Sequence, residues 1–117
     1  MAWTVLIVDD HAGFRASARA LLEADGFDVL GEAADGESAL AMARDLRPRV
    51  VLLDIQLPGM DGFAVAERFA AEPAAPAVVL ISSRGRSAFR NRLKSTPARG
   101  FITKAEFSGD CLSSLLA

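Results

Sequence analysis

The chain has 117 residues and a formal net charge of −2, which is the size of one domain and argues against nucleic-acid binding through bulk charge. Its 51% hydrophobic content is inflated by 22 alanines, and 24% charged residues describe an ordinary soluble globule. The single cysteine, Cys111, excludes an internal disulfide and a clustered-cysteine zinc site, and apolar runs of about five residues are too short to span a membrane. Met1-Ala2-Trp3-Thr4 lacks the charged and apolar regions of a secretory leader, so the cytosol is the expected compartment. The small net charge conceals an asymmetry: residues 1–83 carry thirteen acids and six bases, whereas residues 84–117 carry seven bases and two acids.

In chain order, Val5-Leu6-Ile7-Val8 opens as a short run of β-branched and Leu residues, the pattern of a strand buried on both faces. Phe14, Ala18, Leu21 and Leu22 then recur with helical spacing, and Asp25-Gly26 ends that helix with a glycine able to adopt positive φ. Phe27 to Ala33 is a weaker strand, as expected at a sheet edge. Asp35 can cap a second helix that turns Leu40 and Ala43 inward and ends before Pro48. Val50-Val51-Leu52-Leu53 is the third strand. A third helix runs from about Asp61 through Phe63, Ala66 and Phe69 to Pro73. Val78-Val79-Leu80-Ile81 is the fourth strand. Ser87 is the expected cap of a short fourth helix carrying Phe89 and Leu93, followed by the irregular Ser95-Thr96-Pro97. Gly100 to Thr103 is a second weak strand, and Ser108 can cap a fifth helix with Leu112, Leu115 and Leu116 on one face. Strand and helix alternate five times, which implies an α/β fold with a doubly wound parallel sheet and helices on both faces. In such sheets the site lies at the carboxyl ends of the strands.

The residues that end each apolar run therefore matter most. The first strand ends in Asp9-Asp10, the third in Asp54, the fourth in Ser82 and the fifth in Thr103-Lys104. A lone Asp there is commonly a helix cap, and Asp25, Asp28, Asp35 and Asp45 need no other reading. Capping does not explain three carboxylates converging with a lysine, because crowded like charges resist ionisation without a compensating cation. Oxygen donors select a hard ion such as Mg²⁺, and the absence of clustered His and Cys argues against zinc. A carboxylate can act as a nucleophile and form an acyl phosphate, with a metal and a lysine neutralising the phosphoryl oxygens. Asp54, alone on a central strand opposite Asp9-Asp10, suits that role, and Ser82 can hydrogen-bond a phosphoryl oxygen. Pro58-Gly59-Met60-Asp61-Gly62 reads as a tight turn into the third helix, with Asp61 as its cap. His11, the only histidine, reads as a polar residue at a helix start, with phosphoryl relay as the alternative.

These residues, in this order and spacing, resemble the receiver domain of bacterial two-component response regulators, nearest to receivers that carry a LuxR-type helix-turn-helix output. The resemblance rests on Val5-Leu6-Ile7-Val8-Asp9-Asp10-His11, on Asp54-Ile55-Gln56-Leu57-Pro58-Gly59-Met60-Asp61-Gly62, and on Ser82 and Lys104. It spans essentially the whole chain and implies one receiver domain over residues 1–117. The implied fold is a flavodoxin-like five-stranded (βα)5 sheet of strand order 2-1-3-4-5. It further implies Asp54 as phosphoacceptor, with Asp9, Asp10, Asp54 and the Gln56 backbone carbonyl holding Mg²⁺. By the same resemblance Ser82 is the switch hydroxyl, Lys104 the phosphate-binding lysine and Phe101 the aromatic that responds to activation. Gln56 and Arg84 correspond to positions that tune dephosphorylation. Ala105 stands where many receivers have a proline, which removes a slow cis–trans switch there.

The implied protein is a switch rather than a turnover enzyme. It would be phosphorylated by a sensor histidine kinase or a small phosphodonor. The face of its fourth helix, fifth strand and fifth helix would control an output domain or partner, with homodimerisation on phosphorylation as a further option. No helix-turn-helix occurs in these residues, so DNA binding is not assigned to them, nor is membrane binding. Stand-alone receiver and part of a longer regulator both remain open. A haloacid-dehalogenase phosphatase also uses an Asp nucleophile with Mg²⁺, but it needs an acid two residues later, where this chain has Gln56. A phosphorylation-independent adaptor of the same fold is the third reading. Arg84, Arg86, Arg90, Arg92, Lys94 and Arg99 form either a solvated face or a dock for an acidic partner.

Overall fold

Three runs of Val, Ile and Leu form the interior of a parallel sheet because each can bury both of its faces. In the computed structural model, which describes residues 3–117, the elements alternate as the hydrophobic pattern dictates. They are β1 (Thr4–Val8), α1 (Ala12–Ala24), β2 (Asp28–Ala33), α2 (Gly36–Leu46), β3 (Val50–Asp54) and α3 (Gly62–Ala70). Next come β4 (Ala77–Ser82), a 3₁₀ turn (Arg86–Phe89), α4 (Arg90–Ser95), β5 (Gly100–Thr103), a second 3₁₀ turn (Lys104–Glu106) and α5 (Gly109–Leu116). Met1 and Ala2, the start of the stretch read for a leader, lie outside the described residues.

The strands pair in the order β2-β1-β3-β4-β5, all parallel, as the resemblance implied. Alternation along each strand divides the core in two. Leu6, Val8, Val51, Leu53, Leu80 and Phe101 pack with Leu40 of α2 and Phe63, Val65 and Phe69 of α3. Val5, Ile7, Val50, Leu52, Val79, Ile81 and Ile102 pack with Ala18 and Leu22 of α1 and Leu112 and Leu116 of α5. Val8 lies opposite Leu53, Asp54 opposite Ile81, and Ser82 opposite Thr103. This register brings the residues that end β1, β3, β4 and β5 to one edge.

Most helix boundaries obey their expected signals. Gly26 adopts φ 90° just past α1. Asp35, Asp61 and Ser108 each accept a hydrogen bond from the backbone amide three residues on, those of Ser38, Ala64 and Cys111. Arg47 ends α2 in the left-handed region, immediately before Pro48. One expectation fails. Ser87 does not cap α4; it lies inside a 3₁₀ turn that starts after Gly85, and Phe89 occupies the position before α4 without a side-chain cap. The physical reason is that neither the turn nor α4 fully buries a residue, so the half-buried Phe89 and Leu93 give too small an apolar face to enforce helical geometry from Ser87 onward.

Candidate functional site

Asp9 comes directly after β1 and is anchored before its side chain is considered. Its amide donates to the Ala33 carbonyl at 3.0 Å, and its own carbonyl accepts from the Arg15 guanidinium at 2.6 Å. Its Oδ1 accepts the His11 amide at 2.8 Å. Asp54 ends β3 with Oδ1 accepting the Gln56 amide at 3.1 Å. Both carboxylates are buried, at 0% and 2% exposure. Lys104, directly after β5, reaches back across the edge, placing Nζ 2.7 Å from Asp9 Oδ2 and 3.4 Å from Asp54 Oδ2. Phe14 of α1 supports the ammonium from one side, with its ring centroid 4.7 Å from Nζ.

The loop after Asp54 is shaped by two glycines. Gly59 takes φ 81° in a turn closed by the Met60 amide donating to the Pro58 carbonyl at 3.0 Å. Gly62 starts α3 against the end of β3, where a Cβ would collide with the Asp54 carbonyl and the Ile55 Cα. The Gly62 amide donates to the Ile55 carbonyl at 2.7 Å, which ties the helix start to the residue after Asp54. Ser82 is fully buried beside them and its Oγ accepts the Arg84 amide at 3.0 Å. Thr103 is spent otherwise: its hydroxyl donates to Glu106 Oε1 and accepts the Glu106 amide, capping the second 3₁₀ turn.

Electrostatics derive from this crowding. Burial pushes the Asp54 carboxyl above its ordinary value and Asp9 adds to the effect, while the Gln56 amide and Lys104 oppose it. Burial alone would lower the Lys104 ammonium, but Asp9 and Asp54 outweigh it and hold the lysine above its ordinary value. Asp9 Oδ2 lies 2.7 Å from the ammonium, the charged partner that a buried carboxylate oxygen requires. Ligand atoms of Asp9, Asp10, His11 and Asp54 all lie within 4.8 Å of one another. A predominantly carboxylate donor set fits a hard divalent cation.

Sequence reading placed Asp9, Asp10, Asp54, Ser82 and Lys104 at this edge, and the structure brings them together. Phe101 is buried on β5, with the Phe89 ring 6.2 Å away and the Arg86 guanidinium 5.4 Å above its ring. His11 stands at the start of α1, as read, but its ring turns to the acidic pair, with Nδ1 3.1 Å from Oδ1 of both Asp9 and Asp10, and makes no side-chain bond to the helix amides. One contributor was missed. Arg15, four residues further along α1, braces Asp9 from behind, which its helical spacing from His11 would have allowed. A groove of about 820 Å³, lined by Trp3, Arg44, Arg47, Arg49, Glu72 and Arg99, opens at the opposite edge of the sheet and includes none of the converging carboxylates.

Residues 5–115 match the family model of the response regulator receiver domain. The chain belongs to that family, the receivers of two-component systems. BvgA of Bordetella pertussis is 37% identical over 102 residues, an overlap of 87% of this chain and 49% of BvgA. A protein-glutamate methylesterase/protein-glutamine glutaminase of Anaeromyxobacter dehalogenans is 44% identical over 106 residues, covering 90% of this chain and 30% of that protein. The receiver domain of NarL from Mycobacterium tuberculosis superposes with a TM-score of 0.85 at 33% identity, covering 99% and 98% of the two chains. The chain thus spans about half or less of the curated relatives named here.

Proposed function

We propose that residues 1–117 act as one receiver domain in which Asp54 accepts a phosphoryl group from a phosphohistidine of a sensor kinase or from a small phosphodonor. The observation that carries this reading is Lys104 Nζ lying between the two buried carboxylates, at 2.7 and 3.4 Å. An Asp54 carboxylate oxygen attacks phosphorus. The new O–P bond forms as the P–N bond to imidazole breaks, and the departing nitrogen keeps the electron pair. Asp9, Asp10, Asp54 and the Gln56 carbonyl would hold a divalent cation, Mg²⁺ by its oxygen donors, which would supply charge neutralisation for the phosphoryl oxygens. Lys104 exchanges its carboxylate partner for a phosphoryl oxygen, and the Ser82 hydroxyl donates to another. Hydrolysis of the acyl phosphate resets the site.

Phosphorylation then biases an equilibrium that exists beforehand, because Ser82 and Lys104 gain a charged partner in only one of the two states. Ser82 pairs with Thr103 across β4 and β5, so a shift at Ser82 is transmitted to Phe101 and to the α4–β5–α5 face. That face would regulate an output domain or partner protein in the cytoplasm. Its nature is not fixed by the receiver, since the similar receivers belong to BvgA in one case and to a methylesterase in another. Incubation with acetyl phosphate and Mg²⁺ should add about 80 Da, one phosphoryl group, by intact-mass measurement. The adduct should be absent in Asp54→Asn; an adduct of equal yield in that variant would remove Asp54 from the role.

A further inference from the structure

We infer that the groove at the amino-terminal edge of the sheet binds a small phosphorylated molecule carrying a flat ring, a ligand of the nucleotide class. The inference is independent of the phosphoacceptor reading, since none of the converging carboxylates lines this groove. Its volume of about 820 Å³ lies within the roughly 300–1,000 Å³ typical of small-ligand pockets. Apolar walls come from half-buried Trp3, buried Phe69 and Pro48, and the loop at 73–76. Arg44, Arg47, Arg49 and Arg99 stand around them against one carboxylate, Glu72. The chain as a whole carries a net charge of −2, so this local excess of positive charge runs against the molecule's balance and selects an anion.

Two of the arginines are already engaged. Arg44 pairs with Glu72 at 3.1 Å, and the Arg49 guanidinium lies 4.1 Å from the Trp3 ring centroid. Arg47 and Arg99 make no side-chain hydrogen bond or ion pair among the described residues. Their backbone is nevertheless held, the Arg47 amide donating to the Ala43 carbonyl at 2.8 Å and the Arg99 amide to the Val78 carbonyl at 2.7 Å. Arg47 is also the one non-glycine residue with positive φ among the described residues, at 50°. Glycine is the ordinary choice for that conformation at the end of a helix, and a residue before a proline is ordinarily extended. The fold thus holds a strained residue whose guanidinium has no internal partner, an arrangement that points to an external one. Planar guanidinium forks match phosphate oxygens, and the apolar walls around Trp3 give a ring a surface on which to stack.

The test follows Trp3, the single tryptophan of the chain, whose fluorescence reports on the groove it lines. ADP titrated into the whole chain should change that fluorescence saturably, with a chelator present so that no cation bridges the phosphates to the acidic edge. Adenosine and inorganic pyrophosphate, each carrying part of the chemistry, should bind more weakly by roughly tenfold or more. Arg99→Gln and Arg47→Gly should each weaken ADP roughly tenfold, as the loss of a charged hydrogen bond implies. Neutralising the carboxyl end of α2 is the competing use for Arg47, and it demands a lower thermal midpoint in Arg47→Gly. Relief of backbone strain instead keeps that midpoint equal or raises it. Absence of saturable ADP binding, or an affinity unchanged within about twofold in both variants, overturns the assignment. Pyrophosphate binding as tightly as ADP overturns the nucleotide class, and capture of a Glu-rich peptide in place of ADP overturns the small molecule.

Discussion

At the scale of single residues, the site is assembled at the expense of stability. Asp54 is buried next to another buried carboxylate, and burial is the main reason its carboxyl titrates above the usual range. A carboxyl raised in the folded state destabilises the fold wherever it is ionised in both states, and that penalty fades as pH falls to the unfolded value of 3.8 and below. Asp54→Asn should therefore raise the thermal midpoint at neutral pH without divalent cations, and its advantage should shrink as pH approaches 4. Differential scanning calorimetry across that range checks it; a variant no more stable than wild type at pH 7 would contradict the burial argument. The residues at this scale were legible because strand ends are marked by the end of apolar runs. Spacing could not reveal rotamer choice: that His11 folds back onto the acidic pair, that Arg15 reaches the Asp9 carbonyl, and that Thr103 turns to Glu106.

Between elements, charge does work that the apolar pattern does not predict. Glu32 on β2 accepts from Arg15 at 3.2 Å and from Arg19 at 2.6 Å, tying the edge strand to α1. The Arg19 hydrogen bond is the chief cause of the lowered Glu32 carboxyl value, and Arg15 adds to it. A depressed carboxyl contributes stability above its unfolded value of 4.5 that is lost as pH falls through the folded value. Glu32→Gln should cost about 0.5–1 kcal/mol at pH 7, in keeping with a partly exposed pair. The difference from wild type should disappear in the acid range below pH 4.5; urea titrations at both pH values would show it. Interior strands and most caps were readable because burial on two faces and backbone capping leave sequence signatures. The Ser87 cap was misjudged because residues 86–95 bury no side chain fully and only Phe89 and Leu93 lean on the core, too little to hold the helix from Ser87.

For the molecule as a whole, the charge division resolves into two uses. Asp9, Asp10 and Asp54 belong to the site, while part of the late basic cluster is engaged internally. Arg92 pairs with Asp61 at 2.9 Å and stacks 4.2 Å from Phe63, and Arg84 and Arg86 lie over Phe89 and Phe101. Reversing Arg92 would thus disturb α3 as well as any dock, whereas Arg90 and Lys94 make no ion pair among the described residues. The α4 segment is held by half-buried Phe89 and Leu93, by Phe89 standing between Phe63 at 5.9 Å and Phe101 at 6.2 Å, and by the Arg92–Asp61 pair. Such a segment can detach while the sheet stays intact. Amide hydrogens of residues 86–95 should exchange by local opening, insensitive to low denaturant, while those of β1, β3 and β4 should exchange only on global unfolding. Equal protection across both sets would contradict this. The consequence is a separation of duties: the sheet interior sets how long the molecule survives, and three phenylalanine rings set how readily the α4 segment lets go.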